Sequence, residues 1–216
     1  MDCFKNLRGR QPHIQNEEDH FLSAVLLPLV EKEGQYSILF EVRSNSLNRQ
    51  PGEVCFPGGK IEKDEMGSPH RTVLREAAEE LGIEASQIDL IGPLDYLVTP
   101  PGTLIYPFVG KILRPEEIKP NRAEVEQVFC VPVDFFIQKK PGQSACDVAT
   151  RYGPDFPFDR VSPALYGDTW QKRWSFAVYY YEYGGHFIWG LTARILQNFI
   201  KLCQRAGVSP DIHDGF

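Results

Sequence analysis

The sequence predicts an α/β protein, and three observations carry that prediction. Apolar, β-prone runs recur at 21–30, 35–42, 88–98, 104–113, 124–133 and 174–183. Two segments with helical periodicity, 68–82 and 192–205, stand among and after them. No internal repeat and no linker divides the 216 residues, a length that suits one domain with a sizeable core. The expected organisation is a short lead-in over 1–20 and a single domain over 21–216, carrying an aromatic-rich insertion around 139–175.

The elements follow in order. The runs 21–30 and 35–42 flank Glu31-Lys32-Glu33-Gly34 and read as a hairpin. After a polar loop, 53–56 reads as a short strand ending at Pro57-Gly58-Gly59, and 60–67 as irregular. Ser68 and Pro69 open a helix as cap and first helical residue, and Gly82 closes it. Leu74, Ala77, Ala78 and Leu81 supply its apolar spacing. Two strands at 88–98 and 104–113 flank Thr99-Pro100-Pro101-Gly102-Thr103. A third runs over 124–133 into a helical turn at 134–138. The Pro-, Gly- and Asp-rich stretch 139–167 shows no regular pattern. Two strands at 174–183 and 186–189 then lead into the terminal helix, with Thr192 as its cap.

On a wheel advancing about 100° per residue, Glu79 and Glu80 fall within roughly 60° either side of Glu76, away from the apolar set. Carboxylates held this close repel one another unless a cation intervenes, and all-oxygen ligands suit Mg²⁺ or Mn²⁺. Clustered glutamates on a helix are, as a rule, only a solvated face. Two neighbours shift the reading toward a site. The Pro57-Gly58-Gly59 turn lets backbone approach a ligand, so the Gly59 carbonyl can complete a metal shell. Arg75 can pair with a carboxylate such as Glu79 and hold the acidic face in register.

Gly59, Glu65 and Arg75-Glu76-Ala77-Ala78-Glu79-Glu80-Leu81-Gly82-Ile83 resemble the Nudix signature, G-x5-E-x7-R-E-U-x-E-E-x-G-U with U a bulky aliphatic. Nine residues separate Glu65 from Arg75 where the signature has seven, which keeps the helix register and leaves the role of Glu65 open. The segment from Arg43 to Gly59 resembles the one preceding this box in coenzyme A diphosphatases, L-L-T-x-R-S-x3-R-x3-G-x3-F-P-G-G, with Asn48 and Arg49 where the loop arginine is expected. Glu124-Val125, Val128-Phe129-Cys130-Val131-Pro132 and Ile188-Trp189-Gly190-Leu191-Thr192-Ala193 extend the likeness.

The resemblance implies a Nudix-type α/β/α sandwich with a mixed β-sheet, and hydrolysis of coenzyme A or acyl-CoA to adenosine 3′,5′-bisphosphate and 4′-phosphopantetheine. Glu76 and Glu80 would be the main metal ligands, with Glu79 assisting and Gly59 giving its carbonyl. Glu124 would be a further ligand or the general base, with Glu126 as the alternative. Idle carboxylates in a polar loop are the competing reading. Arg43 and Arg49 would bind phosphate oxygens, or are exposed loop arginines. His186 and Trp189 read as strand and core residues. Two rival functions stay open: a Nudix hydrolase of another nucleoside diphosphate derivative such as ADP-ribose or a dinucleotide, and a non-catalytic nucleotide-sensing module.

The net charge of −6 and the absence of a basic patch argue against nucleic acid as partner. No apolar run nears the ~20 residues that span a bilayer. Five scattered cysteines without metal-ligand spacing read as reduced thiols, and the cytoplasm is the expected compartment. The aromatics Tyr152, Phe156, Phe158, Tyr166, Trp170, Trp174 and Phe176 imply that 139–183 is ordered. That stretch covers the site, packs as a plain excursion, or meets a second copy; exposed aromatics would favour a homodimer.

Overall fold

The first long strand, β1 (Phe21–Lys32), is apolar on both faces, and both faces are covered. Glu33 and Gly34, at φ 54° and 78°, turn the chain into β2 (Gln35–Arg43), and pairs from Leu29↔Ile38 to Lys32↔Gln35 close the hairpin. β3 (Val54–Cys55) and β4 (Gly58–Lys60) follow, then α1 (Pro69–Leu81), β5 (Ile88–Pro93), β6 (Leu97–Val98) and β7 (Thr103–Ile112). β8 (Val125–Pro132) runs directly into the short α2 (Val133–Gln138). β9 (Gly142–Thr150), β10 (Gln171–Tyr183) and β11 (His186–Trp189) precede α3 (Gly190–Arg205). The computed structural model describes residues 8–9, 14–15, 17–100, 102–162 and 166–205.

Strands β3-β2-β1-β7-β5 form the spine of an eight-stranded sheet, with β4 beside β1, β6 beside β7 and β8 beside β2. The β1–β7 pair is parallel and the rest are antiparallel, so the sheet is mixed. Alternation sends Ala24 and Leu26 of β1 to one face, where they pack with Leu39, Val73, Ala77, Leu81 and Phe108 beneath α1. Leu27, Ile38 and Phe40 meet Phe136, Ala193, Leu196 and Phe199 of α2 and α3 on the other. The result is the predicted helix–sheet–helix sandwich, with the antiparallel sheet β11-β10-β9 added on the α3 side. Phe40 is fully buried, stacked on Phe56 at 5.1 Å and Phe129 at 5.5 Å. Burial of one such side chain stabilises by about 1.5–3 kcal/mol.

Several expectations are corrected. The polar stretch after 139 contains β9, whose partner β10 lies more than twenty residues on. The irregular stretch after Gly59 begins as β4, because Gly58, Gly59 and Lys60 pair with Val25, Ala24 and Ser23. The segment 88–98 is broken into β5 and β6. α3 starts at Gly190, so Thr192 lies inside it and its hydroxyl donates to the Val54 carbonyl at 3.2 Å instead of capping. Ser68 holds the cap position of α1 without a side-chain capping bond, whereas Gly82 closes the helix in the left-handed conformation at φ 63°. Trp189 is 41% exposed and not a core residue, while His186 stacks on Phe129 at 3.8 Å. Cys55, Cys130, Cys146 and Cys203 are free thiols; Cys3, most of the lead-in and Gly207 lie outside the described residues. Among the described residues no helix is long and apolar enough to cross a membrane.

Candidate functional site

α1 presents its carboxylates at the edge of its buried face. The side chains that reach the core are Val73, Ala77 and Leu81, with Leu74 only partly buried. That rotates the helix relative to the wheel reading, which counted Leu74 and Ala78 with Ala77 and Leu81 in the apolar set and left out Val73. The consequence is a gradient of exposure among the three glutamates. Glu80 is 3% exposed, Glu76 is half-buried and Glu79 is exposed.

The turn Pro57-Gly58-Gly59 is drawn against this helix by the pairing of β4 with β1. The Gly58 amide donates to Glu80 Oε2 at 2.7 Å. Gly58 sits at φ 153°, and a Cβ there would collide with the backbone of Ala24 and Val25. At Gly59 a Cβ would occupy the space filled by the Glu76 carboxylate. Glycine is therefore required twice over, once by the β1 backbone and once by the acidic side chain.

Arg75 ties the acidic face to the loop before the helix. Its Nε and Nη2 donate to Glu65 at 3.1 and 2.9 Å, and its Nη1 reaches Glu76 at 2.8 Å. Glu79 lies farther from it, at 3.6 Å. Glu65 is buried and also accepts from the Thr72 hydroxyl at 2.8 Å. The Arg75 contact, above all, holds the Glu65 carboxyl down to about 2. The role left open in the sequence is thus a structural one. Between Glu65 and the helix the chain turns once, with the Ser68 amide donating to the Glu65 carbonyl at 2.8 Å.

Electrostatics separates the remaining acids. Burial first, and then the charge of Glu41, pushes the Glu80 carboxyl far above the usual carboxylate range. Burial likewise raises Glu76, with Arg75 pulling it back. From the loop before β8, the Glu124 charge adds to the rise of Glu41, Glu76 and Glu80. Its main chain is pinned there by the Ser44 amide, which donates to the Glu124 carbonyl at 2.7 Å. Glu126 is exposed and enters none of these interactions; its carbonyl accepts from Arg122. Arg43 is half-buried and donates to the Arg49 carbonyl at 3.3 Å, while the Arg49 guanidinium lies over the Phe21 ring at 5.8 Å.

Glu41 is the residue that sequence reasoning missed. It lies inside the apolar run of β2 and is 1% exposed. Burial pushes its carboxyl up, with the Cys55 thiol and Arg43 pulling it back. The available signal was a lone acid in Ile38-Leu39-Phe40-Glu41-Val42.

Among the described residues no group of three or more His, Cys, Asp or Glu is already gathered as a metal shell. Glu76 and Glu79 turn toward Arg75, and Glu80 toward Gly58. The donor set nonetheless fits a hard cation. It is carboxylate and carbonyl oxygen, the Gly59 backbone is bare toward Glu76, and a buried Glu41 oxygen has no partner.

The NUDIX domain family matches residues 20–147. A peroxisomal coenzyme A diphosphatase of Mus musculus, NUDT7, is 39% identical over 65% of this chain and 63% of its own length. The alignment therefore spans less than two thirds of that relative. A mitochondrial coenzyme A diphosphatase of Homo sapiens, NUDT8, is 30% identical over 87% of this chain and 72% of its own. The uncharacterized Nudix hydrolase NudL of Escherichia coli is 30% identical over 97% of this chain and 95% of its own.

Proposed function

Because the chain belongs to the NUDIX domain family, we propose that it is a metal-dependent hydrolase of coenzyme A or acyl-CoA. Water adds to one phosphorus of the diphosphate and the bridging P–O bond breaks. The products are adenosine 3′,5′-bisphosphate and (acyl-)4′-phosphopantetheine. The observation that carries the chemistry is the convergence of Glu76 and Glu80 of α1 on the Gly58-Gly59 turn, with Glu124 facing them. The substrate class rests on likeness to the mouse and human coenzyme A diphosphatases.

Glu76 and Glu80 would hold Mg²⁺ or Mn²⁺, with Glu79 and the Gly59 carbonyl assisting. The ion supplies charge neutralisation at the diphosphate and an acidified water. Glu124, exposed at the mouth of the site, accepts the proton of the attacking water at its carboxylate. Arg43, at the end of β2, and Arg49, in the loop after it, would reach phosphate oxygens. Arg75 acts through its neighbours: by gripping Glu65 and Glu76 it fixes the acidic face before substrate arrives.

The test is incubation with CoA, ADP-ribose, NADH and diadenosine polyphosphates, with Mg²⁺ or Mn²⁺, and chromatographic resolution of products. CoA or acyl-CoA is expected to be consumed faster than the others. Cleavage of ADP-ribose with CoA untouched would move the chain to another substrate class within the family. No turnover of any of them would favour a nucleotide-sensing module.

A further inference from the structure

One carboxylate near the site has no part in that scheme. Glu41 stands in β2 behind Ile38, Leu39 and Phe40, all of them buried. Alternation puts Glu41 on the same face as Leu39, which packs in the core beneath α1, while Ile38 and Phe40 point the other way. Glu41 therefore looks toward the helix that carries Glu76 and Glu80. Its charge reaches Glu80 and raises that carboxyl. Glu124 acts on it from the mouth of the site.

The two oxygens of Glu41 are in different situations. Oε1 accepts from the Cys55 thiol at 3.3 Å, and the register pair Glu41↔Cys55 fixes that contact. Oε2 has no partner, and it is the one such buried side-chain oxygen or nitrogen among the described residues. A buried polar atom left unpaired forfeits its hydration without a bond in exchange, which destabilises the fold. Protonation does not remove the problem, since a hydroxyl on Oε2 would be an unpaired donor in the same place. A cation satisfies it, and also relieves the repulsion between Glu41 and Glu80.

We propose that Glu41 is an inner metal ligand, its Oε2 binding a divalent cation shared with Glu80 between β2 and α1. This rests on the metal-dependent reading above and deepens it. An ion held by one carboxylate from the sheet and one from the helix is fixed in depth by two rigid elements. It stays in place when substrate is absent, and the outer acids Glu76, Glu79 and Glu124 are left to hold what arrives with the substrate.

The experiment is equilibrium binding of Mn²⁺ to the purified chain without substrate, followed by the electron paramagnetic resonance signal of free Mn²⁺. Glu41→Gln keeps the side-chain volume and an acceptor for the Cys55 thiol but removes the charge. It should weaken Mn²⁺ binding about 10-fold or more, or abolish one bound ion, with the metal-free melting curve close to that of the parent. Glu41→Asp withdraws the carboxylate by one methylene and should also bind Mn²⁺ more weakly; it decides the matter if the glutamine variant does not fold. Unchanged affinity and stoichiometry in a folded variant would overturn the inference. A parent chain that binds no Mn²⁺ would remove both this inference and the metal-dependent reading. Mn²⁺ binding without CoA hydrolysis would remove only the substrate.

Discussion

Glu76 and Glu80 are one helical turn apart, yet only Glu80 is sealed from solvent and bonded to the Gly58 amide. A change there acts on the site and spares the fold. Glu80→Gln retains an oxygen for the Gly58 amide while losing a charge. It is expected to lower turnover by about 10² or more with little change in the melting curve. Near-normal turnover at saturating metal would remove Glu80 from the ligand set. Glu65 behaves in the opposite way, since its contacts hold the fold together. Its carboxyl is held down to about 2 by Arg75, from an ordinary value of 4.5. The folded chain therefore binds fewer protons at Glu65 than the unfolded chain does between those values. The stabilisation is full above about pH 4.5 and fades as pH falls toward 2. Because the Arg75 side chain is 34% exposed, solvent screens the pair, and about 1–2 kcal/mol is a fair size for its effect. Urea unfolding of Glu65→Gln should show that deficit at pH 7 and a smaller one at pH 4. An equal deficit at both would mean that packing, not charge, holds Glu65.

At the scale of elements, the end of α1 is fixed by a glycine. Gly82 lies at φ 63°, and a Cβ there would run into the Lys119 carbonyl, whose own amide donates to Leu81 at 2.9 Å. Gly82→Ala should cost about 1–3 kcal/mol in unfolding free energy, because the obstacle is backbone. Turnover per folded molecule should stay near the parent value, and a loss of activity without a loss of stability would contradict it. This helix was legible in the sequence because Ser68-Pro69 and Gly82 are local signals. The β1–β2 hairpin was legible for the same reason. β9 was not, since Gln143, Ser144, Ala145, Cys146 and Asp147 are exposed and carry no apolar alternation; only the distant β10 makes them a strand. The orientation of α1 escaped as well. Which face is buried depends on how β1 and β4 meet the helix, and that favoured Val73 over Leu74. Glu41 escaped because both faces of β2 are covered, so periodicity does not separate a buried acid from an exposed one. The box glutamates and their turn were visible in the sequence; the acid behind them was not.

For the molecule as a whole, the small sheet poses the larger question. Tyr181 and Ile188 point from it into the core, which leaves the alternate residues of β10 and β11 on the outer face. Tyr180 pairs with Trp189 and Glu182 with Phe187, so Trp174, Phe176, Tyr180, Phe187 and Trp189 share that face. Trp174 is 53% exposed, Phe187 46% and Trp189 41%. Tyr152 packs on Phe156 at 4.6 Å and on Tyr166 at 5.6 Å, so the insertion has aromatic packing of its own. A row of aromatics on a three-stranded sheet is an apolar patch of the kind that soluble monomers rarely leave bare. Such a face is most simply covered by its own copy about a two-fold axis, which lays the same row of rings from each chain against the other. Sedimentation equilibrium at micromolar concentration is therefore expected to give a dimer. Replacing Phe187 and Trp189 together by Ser should shift it to monomer while hydrolytic turnover per chain is unchanged from the parent, since neither residue belongs to the carboxylate site. A parent chain that sediments as a monomer at tens of micromolar would show that these rings are tolerated in water, with Phe187 packed on Tyr180 and Arg194 over Phe176 as cover enough.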